Sequence, residues 1–488
     1  MIATRRIAPG TRLAGEDVVA REIIPSGHKI ATADIASGGA VRKYGQVIGV
    51  ATQGIAAGAH VHTQNLAVSE LRELAAQGEP WRRSETPRSF LGYRRADGRV
   101  GTRNYIGVLT SVNCSATVAR HIAEAAERSG LLRDFPHVDG IVPITHTSGC
   151  GMAGSGEGFE ILKRTLWGTA ANANFGAILL VGLGCEVLQV DRLKKDYGIA
   201  DGPAFQSFTI QDVGGTRRAI AEGLDRLKAI LPAVNAARRT QVPAGELILG
   251  LQCGGSDAWS GVTSNPALGN ASDRLAALGG TVILSETPEI YGAEHLLYAR
   301  AKAPSVSAAL RARLDWWEHY TAIHGAEMDN NPSPGNKAGG LTTILEKSLG
   351  AVAKSGTSPL NEVIEYAAPI HERGLVFMDS PGFDPASATG QVASGATLIA
   401  FTTGRGSAYG CKPSPSIKLA SNSEIYERMK DDIDIDCGPI ARGEASVADK
   451  GGEILDLLLR VASGERSKSE ELGYGGSEFV PWQVGVVM

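Results

Sequence analysis

The sequence predicts an α/β protein with a small β-rich unit at its front, and three observations carry that reading. Beyond Gly101, an apolar, β-branched run that stops abruptly in a loop of Gly, Ser, Asn or Cys recurs along the chain. Several of these runs lead into segments of helical periodicity, and alternating strand and helix builds a largely parallel sheet. Before residue 68 the pattern is different: short aliphatic stretches alternate with Gly-containing turns, with no helical period.

In residues 1–67 a short echo appears as Ile7-Ala8-Pro9-Gly10 leading to Leu13, Ile35-Ala36-Ser37-Gly38 leading to Val41, and Ile55-Ala56-Ala57-Gly58 leading to Val61. Glycine after a small or Pro residue supports a tight turn, and the flanking aliphatics suit short strands. The spacing is too uneven for a solenoid, so the echo reads as one turn device reused inside one domain. Residues 68–99 turn polar and Arg-rich with few aliphatics, which predicts a linker.

Strand runs then follow as YIGVLTS before Asn113-Cys114, GIVPIT before His146, GAILLVGLG before Cys185-Glu186 and ELILGLQ before Cys253. Later come TVILS before Glu286, GLVFMDS before Pro381-Gly382 and ATLIAFTTG before Arg405-Gly406. Helices are expected over Ala116–Arg128, Gly158–Leu166, Thr216–Leu231 and Asn270–Ala277. A break at Val242-Pro243-Ala244-Gly245 divides the α/β part into residues 100–242 and 243–488. Ligands of such sheets bind beyond the carboxyl ends of strands, where these loops fall.

Composition narrows the function class. Glycine supplies 61 of 488 residues, well above the usual roughly 7%, yet without the triplet period of collagen. The 43% hydrophobic content excludes a disordered chain. Net charge is −4 with no basic cluster, so nucleic acid is not an expected partner. The longest apolar run is about half of a membrane span, and the N-terminus lacks a signal-type apolar core. A cytoplasmic protein without a membrane partner is expected. Six cysteines without a CxxC pair argue for free thiols.

All six thiols, Cys114, Cys150, Cys185, Cys253, Cys411 and Cys437, sit in or beside polar or Gly-rich loops. That placement suits metal ligation, nucleophilic catalysis or close backbone packing around a small ligand, and the sequence leaves these open. His60 and His62 flank Val61, and on a strand the alternation puts both imidazoles on one face, where they can chelate a divalent metal. His28 and His146 lie in loops. Amide, hydroxyl and cationic groups crowd Asp257–Asn265, Asp329–Lys337 and Thr402–Ser407, as a polyhydroxy or anionic ligand requires. No Walker sequence or helix-opening GxGxxG supports a nucleotide.

These segments resemble the altronate/galactarate dehydratase family almost end to end: Gly27-His28-Lys29, KYGQVIG, AHVHTQN, GRVGTRNYIGVLTSVNCSATV, SGCGMAGSGEGFE, ILLVGLGCE, LQCGGSDAWSG, MDNNPSPGNKAGGLTTILEKSLG, FTTGRGSAYGCKPSPSIKLASN and DIDIDCG. The resemblance implies an SAF-type β domain followed by two Rossmann-like α/β regions. It implies dehydration of an altronate-type aldonate or galactarate-type aldarate to a 2-keto-3-deoxy acid, by C2 proton abstraction and loss of the C3 hydroxyl. The implied cofactor is a divalent metal, ferrous iron first and manganese second; the loop cysteines leave an iron–sulfur cluster as the further alternative. Release of sulfite from a sulfolactate-type acid, and sugar-acid binding without turnover, are the competing functions. The expected partners are the sugar acid and, at base rate, a second copy of the chain.

By the same resemblance, His60 and His62 are the metal ligands, with Cys150 or Cys185 completing the sphere. Asn113, Cys114, Asn336, Arg405, Gly406 and Lys418 would hold carboxylate and hydroxyls. His28, His146 and Lys337 would be catalytic, with His146 or Lys337 as the base. The sequence departs from the family pattern at Gln64 and at Asn172-Ala173-Asn174, where histidines are common, and a changed substrate preference is the expected consequence.

Overall fold

The computed structural model describes residues 1–43, 46–68 and 85–485. Residues 1–67 form short strands and bridges: β1 (Lys29–Ile30), β2 (Ala40–Lys43), β3 (Gln46–Ala51), β4 (His60–Val61) and β5 (Leu66–Ala67). β1 pairs antiparallel with β4, and β3 lies between β2 and β5. The echo is a real device. Gly10, Gly38 and Gly58 all take positive φ, and its isoleucines form isolated bridges, Ile7 with Ile24 and Ile35 with Ile55. At Gly58 any Cβ would run into the Val19 carbonyl, so the turn requires glycine.

The polar stretch 68–99 is corrected in part. Residues 69–84 lie outside the described residues, but β6 (Ser89–Arg94) is a strand that pairs with β7 (Val100–Gly101) and with β12 (Arg239–Pro243). Its Phe90 and Tyr93 are buried; two aromatics among arginines were enough to seat a strand that composition alone reads as solvated.

The first α/β region is a parallel sheet in the order β11-β10-β8-β9, with β8 (Tyr105–Thr110), β9 (Gly140–Ile144), β10 (Phe175–Gly182) and β11 (Phe205–Thr209). Its helices are α1 (Ala116–Arg128), α2 (Glu157–Ala170), α3 (Val190–Tyr197) and α4 (Thr216–Asn235). Alternation sorts the strand side chains: Ile106, Val108, Leu179 and Val181 pack under α1 and α4, while Leu109, Ile178 and Leu180 meet α2 and α3.

The second region is a seven-stranded parallel sheet in the order β15-β16-β14-β13-β17-β18-β19. Its strands are β13 (Ile248–Cys253), β14 (Thr281–Leu284), β15 (Leu360–Ile364), β16 (Gly374–Met378), β17 (Leu398–Thr403), β18 (Ser416–Ala420) and β19 (Ile435–Asp436). Helices here are α5 (Ser264–Ala277), α6 (His295–Tyr298), α7 (Pro304–Ile323), α8 (Pro334–Ala338), α9 (Ile344–Ala353), α10 (Asp384–Ala393), α11 (Ser423–Arg428) and α12 (Val447–Ala462). α5 starts six residues before the expected Asn270, because Asn265 is fixed by donating to the Gly350 carbonyl (2.9 Å). α10 packs on α2, joining the two regions.

Each sheet has one topological switch. β8 lies between β9 and β10, and β13 lies between β14 and β17, so each has a crevice at its carboxyl end. The small domain is docked near the second crevice. Lys29 Nζ donates to Glu346 Oε2 (2.8 Å) and Lys43 Nζ to Glu346 Oε1 (2.6 Å), both buried. Among the described residues no helix is long and apolar enough to cross a membrane.

Candidate active site

β1 and β4 pair with Ile30 opposite His60, which brings His28, His60 and His62 into one cluster. Their ring centroids are 5.1, 4.8 and 5.4 Å apart, and one nitrogen of each lies within 4.8 Å of the others. His28 Nδ1 is 2.9 Å from His60 Nε2, and His28 Nε2 is 3.4 Å from the Ala338 carbonyl. That carbonyl can only accept, so Nε2 of His28 carries the proton and Nδ1 accepts from His60. Asn65 braces the pair of strand ends, accepting from the His62 amide (3.0 Å) and donating to the His60 carbonyl (2.8 Å).

Burial lowers the basicity of all three imidazoles, and for His62 the neighbouring His28 and Lys29 charges add to it, bringing it to about 4. The trio is therefore neutral at pH 7, the form that ligates metals. His62 Nδ1 is buried without a hydrogen-bond partner. Three converging neutral nitrogens, one of them orphaned, fit a divalent transition metal that keeps open positions. His28, expected as an acid–base group, belongs geometrically with His60 and His62.

A cleft of about 310 Å³ opens beside the trio, lined by Ser26, Trp259, Ala338, Gly339, Gly404 and Arg405 among others. The β13 and β17 loops form its floor: the amides of Gly404 and Arg405 both donate to the Gly255 carbonyl (3.1 and 2.8 Å). Asp257 knots this floor, accepting from Ser260 Oγ (2.9 Å), Ser421 Oγ (2.8 Å) and Asn422 Nδ2 (3.0 Å). Arg405 is exposed and lines the cleft, Gly406 follows it with positive φ, and Lys337 is exposed on α8 one residue before the lining Ala338. Asn336 has a different task from substrate binding. It closes the capping box of α8 with Ser333, and its amide donates to the Ser256 carbonyl (2.8 Å).

Sequence reasoning missed a second cluster, at the carboxyl ends of β13 and β14, which adjoins the small domain's docking site through the neighbouring Glu346 and Lys347 of α9. Cys253 ends β13, Glu286 and Glu289 follow β14, Lys347 and Lys354 come from α9 and its C-cap, and Asp384 opens α10. Lys347 Nζ donates to Glu289 Oε1 (2.6 Å), Asn331 Nδ2 to the same oxygen (2.9 Å), and Lys354 Nζ to Cys253 Sγ (3.0 Å). Two ammoniums already supply the positive charge, so the cluster is an ion-pair network rather than a cation site.

Glu286 stands apart within it. Its backbone is left-handed at φ 74, its side chain is wholly buried, and neither carboxylate oxygen has a hydrogen-bond partner; Lys354 Nζ is 3.6 Å away. Burial, then the Glu289 charge, push its pKa well up against the opposing Lys354 and Lys347 ammoniums. Glu289 is ionised, because Lys347 and Lys354 outweigh the burial that would raise it. Burial, then Glu289, lifts Asp384 to about 7. Strain, an unpartnered buried acid and carboxyls driven apart in pKa are marks of acid–base work. The legible signals were an acid ending the run TVILS and an adjacent Glu346-Lys347 inside the otherwise apolar α9.

The remaining expected residues lie elsewhere. Asn113, Cys114, His146, Cys150 and Cys185 sit at the carboxyl end of the four-stranded sheet, and neither Cys150 nor Cys185 joins the histidines among the described residues. Lys418 is fully buried on β18, 4.0 Å from Asp432 and over the Tyr474 ring, and does not line the cleft. His146 is no base: Nε2 donates to the Thr110 carbonyl (3.0 Å) and Nδ1 accepts from the Ser148 amide (3.3 Å). Burial lowers it to about 4. Since the unfolded histidine titrates at about 6.5, the unfolded chain takes up this proton first as pH falls. Stability from His146 is thus lost below pH 6.5, by about 2 kcal/mol between pH 7 and pH 5. Urea midpoints at the two pH values should differ by less in His146→Gln than in the unaltered chain.

The departure at Asn172-Ala173-Asn174 is structural as well. Asn172 donates to the carbonyls of Val392 (2.8 Å) and Ala396 (3.0 Å), and Asn174 accepts from the Thr102 amide (2.7 Å) while donating to the Thr397 carbonyl (3.1 Å). Both tie one α/β region to the other, away from the cleft. Gln64 Nε2 reaches the His60 carbonyl (3.4 Å) and so borders the trio.

Three family models match the chain in succession: the altronate/galactarate dehydratase SAF domain over residues 1–69, the D-galactarate dehydratase/altronate hydrolase second domain over 92–235, and the D-galactarate/altronate dehydratase C-terminal domain over 244–487. Galactarate dehydratase (L-threo-forming) of Escherichia coli is 39% identical over 457 residues, 91% of this chain and 87% of its own. Altronate dehydratase of Bacillus subtilis is 33% identical over 481 residues, 96% and 94% of the two chains. The (2R)-sulfolactate sulfo-lyase subunit beta of Chromohalobacter salexigens is 32% identical over 398 residues, 80% and 97% of the two.

Proposed function

The chain belongs to the galactarate/altronate dehydratase family of hydro-lyases, and on that premise we propose that it removes water from a six-carbon sugar acid in the cleft between the small domain and the seven-stranded sheet. The observation that supports this reading is that α9 ties a trio of metal-donor histidines to a network of buried carboxyls: its Glu346 accepts from Lys29, next to His28, and its Lys347 donates to Glu289.

The C2 proton of such an acid is hard to remove because the neighbouring carboxylate is already negative. A divalent ion held by His28, His60 and His62 would supply positive charge for the enediolate. Arg405 at the cleft rim suits the substrate carboxylate, and the Gly404–Gly406 backbone lets it approach closely. Asp384, near neutrality, takes the C2 proton. Glu286, protonated, gives a proton to the departing C3 hydroxyl, so the product leaves as an enol that ketonises to the 2-keto-3-deoxy acid. Lys337, exposed on α8 beside the lining Ala338, is a cation for the far end of the substrate.

The test is turnover of a sugar-acid panel including galactarate and altronate, read as 2-keto-3-deoxy product, with ferrous iron, with manganese and after chelation. We expect product from one of these two acids and its loss on chelation. No product from any acid overturns the proposal, and sulfite released from sulfolactate would reassign the leaving group.

A further inference from the structure

We propose that the carboxyl end of the four-stranded sheet holds an iron–sulfur cluster on Cys114, Cys150 and Cys185. Of the six free thiols, these three are exposed, whereas Cys253 and Cys437 are buried and Cys411 is partly so. Unpaired cysteine is among the most buried residue types, and exposed thiols oxidise, so three at one end of one sheet call for a bound partner.

The three come from the loops after β8, β9 and β10, neighbouring strands in the order β10-β8-β9, and thus flank the switch crevice of this sheet. Hydrogen bonds stitch the loops together. The Asn113 amide donates to the Ser148 carbonyl (2.9 Å), the Val187 amide to the Gly149 carbonyl (3.1 Å), and Ser111 Oγ to Glu186 Oε1 (2.6 Å). Gly149 and Gly151, on either side of Cys150, and Gly184, before Cys185, all have positive φ. A Cβ on Gly149 would strike the Ser111 carbonyl, so Cys150 is laid directly over the β8 loop that carries Cys114.

The chemistry selects a cluster over a single ion. Among the described residues the three thiols do not form a group with all sulfurs within 4.8 Å of one another, as the histidine nitrogens do. A cluster spreads its thiolates over several irons and does not require them to meet at one point, and three cysteines with one open iron are a complete protein set for it. Glu186 is unavailable as a hard ligand, since it accepts from Ser111 and the Leu183 and Gly184 amides. Gln211 Nε2 donates to Cys185 Sγ (3.4 Å), the kind of N–H···S contact that surrounds cluster sulfurs. The site is separate from the histidine trio and shares no ligand with it.

The full chain, purified anaerobically and reconstituted with ferrous iron and sulfide, should carry roughly three to four irons and equal acid-labile sulfide. It should also show a broad absorption band in the visible and an electron paramagnetic resonance signal on oxidation or reduction. Cys114→Ser, Cys150→Ser and Cys185→Ser should each lose sulfide and the band with unchanged circular dichroism, and His60→Ala should keep both. Reconstituted protein without sulfide, or a triple serine variant that still binds the cluster, would overturn the assignment.

Discussion

Glu286→Gln is expected to lower kcat by a factor of about 10²–10⁴, the range that general acid catalysis contributes, while leaving stability nearly unchanged. The two outcomes separate because of the acid's protonation state. In the proposed role Glu286 is the protonated partner of Glu289, in line with the upward push of burial and the Glu289 charge on its pKa, and glutamine has the same shape and is neutral like the protonated acid, so no buried charge is lost. Truncation effects on the fold should be small, and the loss falls on proton delivery alone. In the unaltered chain kcat/KM should rise as pH passes through about 7, because activity requires Asp384 ionised, and a companion variant, Asp384→Asn, should lose turnover by at least a comparable factor, its residual rate lacking that limb. Exchange of the substrate C2 hydrogen with deuterated solvent discriminates the roles: Glu286→Gln should retain exchange and Asp384→Asn should lose it. Retained turnover in both variants would remove these carboxyls from the mechanism and return the base to Lys337.

The fold was legible wherever a local pattern suffices. Runs such as GAILLVGLG and ATLIAFTTG are buried on both faces of a parallel sheet, so an unbroken apolar stretch ending in glycine announces a strand and its loop together. The His60-Val61-His62 alternation announced one shared face. What failed was the assignment of loops to a common place. Cys150 and Cys185 end strands of one sheet and Glu286 and Asp384 end strands of another. Nothing in a tripeptide records which sheet its strand has joined. Buried charge was equally hidden: Glu289, Lys347 and Lys354 read as ordinary polar residues until α9, the loop after β14 and the end of β13 come within bonding distance. Asn336 illustrates the reverse error, since an amide among glycines and prolines resembles a ligand group but is spent on the cap of its own helix.

Removing Glu346 has the second large expected effect, and it acts on stability before chemistry. Its side chain is wholly buried and accepts from Lys29 and Lys43 of the small domain, and from the amide and hydroxyl of Thr342. Burial alone would raise its pKa, but the two ammoniums hold the carboxyl well below the usual range, so it is ionised wherever the protein is folded. Glu346→Ala leaves two buried ammoniums facing each other without a counter-charge, at a cost of about 3–5 kcal/mol. Relief is available by separation: the small domain can lift from α9 and hydrate both lysines. Because Lys29 follows His28 directly, that movement also draws His28 away from Ala338 and opens the trio. Proteolysis should therefore cleave Glu346→Ala between the small domain and the sheets faster than the unaltered chain, with metal affinity and turnover falling together. Glu346→Gln should lie between, keeping hydrogen bonds while losing the charge. A Glu346→Ala chain that resists protease and binds metal normally would show that the docking rests on the apolar contacts of Val41, Ile48 and Val61 instead.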